Sequence, residues 1–207
     1  MTKPSRSIKS IGGLAVFSLI FLVVAGLVAI LGVSVVKAVL QYREAKQTTV
    51  TESNLTSPEL AKRASMQQDS GDLVGATESL SKALAKDESF ELRSQLAVLL
   101  YRQKKYQEAI AKYQDLLNLG KDKAFAWNGM GNAYRDWALQ DTARTDESNT
   151  KAVEAYKEAI KADKGYVAAY VNLAILEKDL GQLEAAKQTA SQGFAATGRA
   201  ELKPFMQ

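Results

Sequence analysis

Residues 126–134 read AWNGMGNAY, and the order of side-chain sizes in that stretch decides the fold. A large residue stands at Trp127, an apolar one at Met130, a small one directly after it at Gly131, and an aromatic at Tyr134. Steps of three and four put these on one face of a helix, with the small residue where a neighbouring helix comes closest. Gly129 and Gly131 also invite comparison with a phosphate-binding turn. A dinucleotide fingerprint needs a third glycine and a preceding strand, and the sequence supplies neither. Close helix packing is the reading that remains.

Working outward, apolar residues recur at three and four from residue 57 onward, with no strand-like alternation. Four Ala-rich pieces resemble one another: GDLVGATESLSKALAKDE, KKYQEAIAKYQDLLNLGK, TKAVEAYKEAIKADKG and GQLEAAKQTASQGFAATG. Aligned on Ala76, Ala109, Ala152 and Ala186 they are separated by 33, 43 and 34 residues, and removing nine from the middle interval restores 34. The excess falls around Gln140 to Ser148, where Asp141, Arg144, Asp146 and Glu147 read as a polar excursion between two helices. Trp137 and Leu139 just before it extend the preceding helix.

A 34-residue period of paired helices resembles the tetratricopeptide repeat (TPR) family. The third repeat is the closest match, with Trp127, Met130, Gly131 and Tyr134 on its first helix and Ala152, Tyr156 and Ala159 on its second. The small residue of the first helix recurs as Ala64, Ala97 and Ala174, and the first repeat's second helix carries Ala76, Leu80 and Ala83. Small residues let paired helices approach, and aromatics fill the wider gap between repeats. One repeat cannot bury its apolar face alone, so several must stack. The fold class is therefore all-α: an N-terminal transmembrane helix followed by an α-solenoid of four TPR-like helix pairs. The repeats span 57–89, 90–123, 124–166 and 167–200 within a 57–200 solenoid, and 201–207 form a C-terminal tail.

The chain also departs from the family pattern. Arg63 and Gln67 stand at usually apolar positions of the first repeat, as suits a terminal repeat with one solvated face. The last repeat has only Ala190 and Gly193 at the bulky and small positions of its second helix, and AELKPFMQ is too short for a full capping helix. That end is expected to fray or to be covered by a partner or a second copy. At the other end, Ser57, Pro58 and Glu59 read as N-cap, first helical position and first-turn acid.

The resemblance implies that the first helices of the repeats line a groove for an extended peptide or a partner helix. Carried over by the repeat alignment, its positions include Ser94, Val98 and Tyr101, then Phe125, Asn128, Asn132 and Arg135, then Ala168, Val171, Ile175 and Lys178. Asn128 and Asn132 are four apart, on one helical face, where their amides can pair with a peptide backbone. The family's carboxylate clamp is incomplete, because Ser94, Val98, Val171 and Ile175 occupy its places.

Ahead of the solenoid, residues 11–36 read IGGLAVFSLIFLVVAGLVAILGVSVV, without a charge. As a helix this run spans roughly 39 Å, enough to cross a hydrocarbon core of about 30 Å. It is longer than a signal peptide's apolar region and ends at Lys37, so it reads as an uncleaved single span. Residues 1–10 form a basic tail with Lys3, Arg6 and Lys9, and 37–56 a juxtamembrane helix and linker. The basic tail favours a cytoplasmic N-terminus and an extracytoplasmic TPR domain in a bacterial cell membrane. Ala25 and Ala29 form a small-xxx-small pair of the kind that seats a second span, so a homo-oligomer is one possible partner arrangement.

Composition closes other routes. The chain has no His and no Cys, which excludes a catalytic triad, a thiol nucleophile and a conventional zinc site; neither an enzyme nor a cofactor is expected. Its pI of about 9.1 does not mark a nucleic-acid binder. Without Lys3, Arg6 and Lys9, the remaining 24 basic residues face 23 acidic ones. The expected function is a membrane-anchored scaffold for protein–protein interaction, a subunit or assembly factor of a membrane or envelope complex. The alternative is a holdase-type chaperone for nascent or translocating chains.

Overall fold

The computed structural model describes residues 33–43, 54–141 and 145–206. Two compact units divide the chain at Leu55 and Thr56. In the first, residues 33–43 form an exposed helix, α1. The tail over 1–10, most of the uncharged run over 11–36 and much of the linker lie outside the described residues. No helix among the described residues is long and apolar enough to cross a membrane.

The second unit is a helical repeat solenoid: α2 (Ser57–Asp69), α3 (Leu73–Leu84), α4 (Phe90–Arg102), α5 (Tyr106–Asn118), α6 (Lys123–Gln140), α7 (Thr145–Ala162), α8 (Val167–Asp179) and α9 (Leu183–Thr197). Each helix packs on the next, and the first helices of neighbouring pairs also touch, α4 on α6 and α6 on α8. The helix starts follow from local chemistry. Asp72, Ser89 and Asp122 each accept a hydrogen bond from the backbone N–H three residues on, satisfying a donor that the first turn leaves free.

The start of α2 is shifted by one residue from the sequence expectation. Thr56, not Ser57, is the N-cap, because Glu59 then falls at the third helical position and closes a capping box. Glu59 accepts from both the Thr56 backbone N–H and its hydroxyl at 2.7 Å. These bonds hold the Glu59 carboxyl below its usual range. Ser57 instead turns inward and donates to the Ala83 carbonyl at 3.0 Å, tying the start of α2 to the end of α3.

Size complementarity builds the core. Ala64, Ala97 and Ala174 are fully buried, and Gly131 takes the same place in the third pair. A Cβ added to Gly131 would stand 2.5 Å from the ring of Tyr156, and one added to Gly129 would stand 2.4 Å from the ring of Tyr113. The two glycines of AWNGMGNAY therefore each make room for a tyrosine: one from the second helix of the same pair, one from the second helix of the pair before.

Two sequence expectations change form here. The nine-residue excess is mostly helix, not a polar excursion: α6 and α7 have 18 residues each, against 13 in α4 and α5. Among the described residues α6 ends at Gln140 and α7 begins at Thr145. Ser148 is buried at 3% exposure on α7, and Thr145 donates to the Ala138 carbonyl at the end of α6. Asp146 and Glu147 serve as first-turn acids, where the helix dipole favours negative charge.

The second change is at the C-terminus. Ala200–Phe205 forms a 3-10 turn that folds back on the last pair, with Leu202 fully buried against Tyr170 and Ala190. Phe205, Phe194 and Val167 pack around that cluster. Gly193 makes room for both Tyr170 and Leu202: an added Cβ would meet them at 2.7 and 2.8 Å. A tail too short for a helix still caps the stack.

Candidate functional site

The groove starts with a shallow depression of about 220 Å³ lined by Gln68, Ser94, Gln95, Val98 and Phe125, one side chain or more from each of α2, α4 and α6. Val98 and Phe125 supply its apolar wall. The Phe125 ring is set by an edge-on contact with Tyr113 of α5, ring centroids 5.9 Å apart. Arg102 reaches across from α4 and donates to the Gln68 side-chain oxygen at 3.2 Å.

Beyond the depression, α6 carries the polar centre. Asn128 is only 7% exposed. Its side-chain oxygen accepts from the Asn172 amide of α8 at 2.9 Å. The same amide donates to the Asn132 oxygen at 3.1 Å, and that oxygen also accepts from the Tyr156 hydroxyl at 2.8 Å. Both asparagine oxygens are thus spent inside the protein. Their amide nitrogens make no hydrogen bond among the described residues, Asn128 being buried and Asn132 half-buried.

One turn further along α6, Arg135 and Asp136 form an ion pair at 2.9 Å, each side chain 24% exposed. The other oxygen of Asp136 accepts from the Tyr101 hydroxyl of α4 at 2.5 Å. Burial, and then this hydrogen bond, push the Tyr101 hydroxyl up to about 12, so it stays a donor at neutral pH. Tyr101 therefore locks α4 to α6 more than it presents itself to a ligand. Tyr156 of α7 is buried against Leu173 and Leu176 of α8, and its hydroxyl is likewise raised by desolvation.

On α8, Ala168 and Lys178 are exposed, Ile175 is half-buried, and Val171 rests partly on the C-terminal cluster. The structure thus brings Ser94, Val98 and Phe125 around one depression and Asn128, Asn132 and Arg135 along one stripe. Lys178 joins no ion pair among the described residues. Asn172, Asp136 and Gln68 were absent from the sequence-derived set. Asn172 had one usable signal: it sits directly beside Val171, a residue the repeat alignment does place on the groove.

Fold and groove together define a class: a helical repeat solenoid of the peptide- and protein-binding kind. The chain belongs to the tetratricopeptide repeat family, since the family model described as Tetratricopeptide Repeats-Sensor matches residues 71–177. Solved structures agree on the fold. A thermophilic TPR protein of Thermus thermophilus superposes with a TM-score of 0.59 at 16% identity, covering 72% of this chain and 79% of that one. A tetratricopeptide repeat protein from Parabacteroides merdae gives 0.58 at 21% identity, over 72% of this chain and 57% of the other. MamA from Desulfovibrio magneticus gives 0.55 at 18% identity, over 68% and 75%. No curated protein matches the chain.

Proposed function

We propose that the chain is a membrane-anchored TPR scaffold that holds another protein in its groove, as a subunit or assembly factor of a bacterial membrane or envelope complex. In this reading residues 11–36 cross the membrane once, the N-terminus is cytoplasmic, and the solenoid lies on the far side. The observation that carries the binding role is the groove itself: an apolar depression at Val98 and Phe125 continued by Asn128 and Asn132, whose amide nitrogens have no partner among the described residues. The uncharged run with its basic flank supports the anchor.

Val98→Glu places a carboxylate in the depression from a half-buried position, so helix content should stay as it is. Recovery of the partner from solubilised membranes is expected to fall at least about tenfold; undiminished recovery removes the groove from the function. Topology is tested separately. The chain has no Cys, and Gln140 is exposed at the end of α6. Gln140→Cys should react with a membrane-impermeant thiol reagent in intact cells, and reaction only after lysis would reverse the orientation.

A further inference from the structure

A hollow of about 320 Å³ opens where the α4–α5 turn meets the end of α6, and it shares no lining residue with the Val98–Phe125 depression. Lys104, Lys105 and Tyr106 line it from the turn and the start of α5, and Trp137 from α6. The same tight turn joins α2 to α3 and α8 to α9, with matching backbone hydrogen bonds. Those two turns place glycine at the left-handed position, Gly71 at φ 83° and Gly181 at φ 74°. This one holds Lys104 there at φ 61°, a conformation that side chains seldom adopt. The next position departs as well. Asp72 caps α3 with its carboxylate, whereas α5 has Lys105 at that cap, and a cation cannot accept from the first-turn N–H groups. Two lysines thus stand at a helix end that already favours an anion. Glu108 is the one lining acid that opposes them, 3.9 Å from Lys105, and Lys104 makes no ion pair among the described residues.

Tyr106 carries the independent sign of a ligand. It is only 8% exposed, and its hydroxyl makes no hydrogen bond among the described residues. That hydroxyl is nonetheless not sealed off, since Arg93 Nε is the one fully buried side-chain polar atom among the described residues without a partner. The opening it keeps is the hollow that Tyr106 lines. Burial, and then the nearby Asp136 carboxylate, raise the hydroxyl above its ordinary range, so it is a donor at neutral pH.

The geometry points to a binding site for a small phosphate monoester carrying a flat ring, its phosphate held by Lys104, the Tyr106 hydroxyl and the first N–H groups of α5, and its ring along Trp137. An ammonium, a phenol and backbone N–H groups answer the three oxygens of a phosphate more fully than the two of a carboxylate. The indole face accepts a second flat ring, and the volume lies at the small end of small-molecule sites, which start at about 300 Å³.

The probe is phenyl phosphate, titrated calorimetrically onto the full chain in detergent solution. It should bind saturably, with inorganic phosphate and phenol each at least about tenfold weaker. Lys104→Gly gives the turn the residue that its two sister turns use. The thermal midpoint should therefore hold or rise while the affinity for phenyl phosphate falls at least about tenfold. Tyr106→Phe removes a hydroxyl that has no partner in the protein, so binding should weaken several-fold at an unchanged midpoint. Val98→Glu, in the groove, should leave phenyl phosphate binding as it was. The inference is overturned if no saturation appears by about 10 mM, if inorganic phosphate or phenol binds as tightly as phenyl phosphate, or if Lys104→Gly and Tyr106→Phe bind it as the native chain does.

Discussion

Gly131 shows how one position can carry both the fold and the site. Its missing Cβ admits the Tyr156 ring, which is fully buried and pinned by its hydroxyl to Asn132. Alanine would gain about 1 kcal/mol in helix propensity, but overpacking against a ring that cannot swing away costs about 1–3 kcal/mol. Gly131→Ala is therefore expected to lower stability by up to about 2 kcal/mol, read as a lower urea midpoint. An unchanged or raised midpoint would mean that the ring is free to move. The size pattern around this residue was legible in the sequence because steric demand leaves a trace at every repeat: alanine at 64, 97 and 174, glycine at 131. The hydrogen-bond pattern was not. Asn172 reaches Asn128 across 44 residues, and a contact between unlike positions of two repeats produces no spacing to read.

At the scale of the elements, the sequence measured the insertion by count and read the lengthening of α6 through Trp137 and Leu139, but took the start of α7 for a polar excursion. The residues TDESNT suit a solvated loop and the first turn of a helix equally well, because acids and hydroxyls favour both. Burial decided between them: Ser148 and Ala138 are small enough for α6 and α7 to stay in contact through their added turns. The longer α7 also borders a hollow of about 490 Å³ with the α8–α9 turn, lined in part by Val153, Glu154 and Leu180. The C-terminal cap escaped notice for a related reason. Seven residues that include Pro204 hold no helical period, and only the smallness of Ala190 and Gly193 hinted that something fills the space above them. Leu202→Ala should cost about 2–4 kcal/mol locally, since it empties a fully buried site. In a stack where each repeat leans on its neighbours, that loss is confined to the last pair. Amide exchange should quicken in α8 and α9 and stay slow in α4 to α7. Uniform acceleration along the chain would contradict a cap that acts on one end.

Taken as a whole, the solenoid starts at a helix whose first turn is satisfied by the Thr56–Glu59 capping box and ends under Leu202, with the groove between them. The groove combines an apolar depression with the Asn128–Asn132 pair and the Arg135–Asp136 ion pair, while the charges of the second helices largely answer one another at short range, as Lys112 does Asp115 and Lys161 does Glu158. Those exposed pairs contribute little to stability and mark a solvated face. The most direct measurement is site-specific photo-cross-linking in native membranes. The cross-linker is placed at Gln95, exposed at the rim of the depression, and in a second preparation at Glu78, exposed on α3. A groove that holds one partner gives a single discrete adduct from Gln95 and none from Glu78. Equal adducts from both positions, or a smear of many sizes from Gln95, would contradict a scaffold with one partner in its groove.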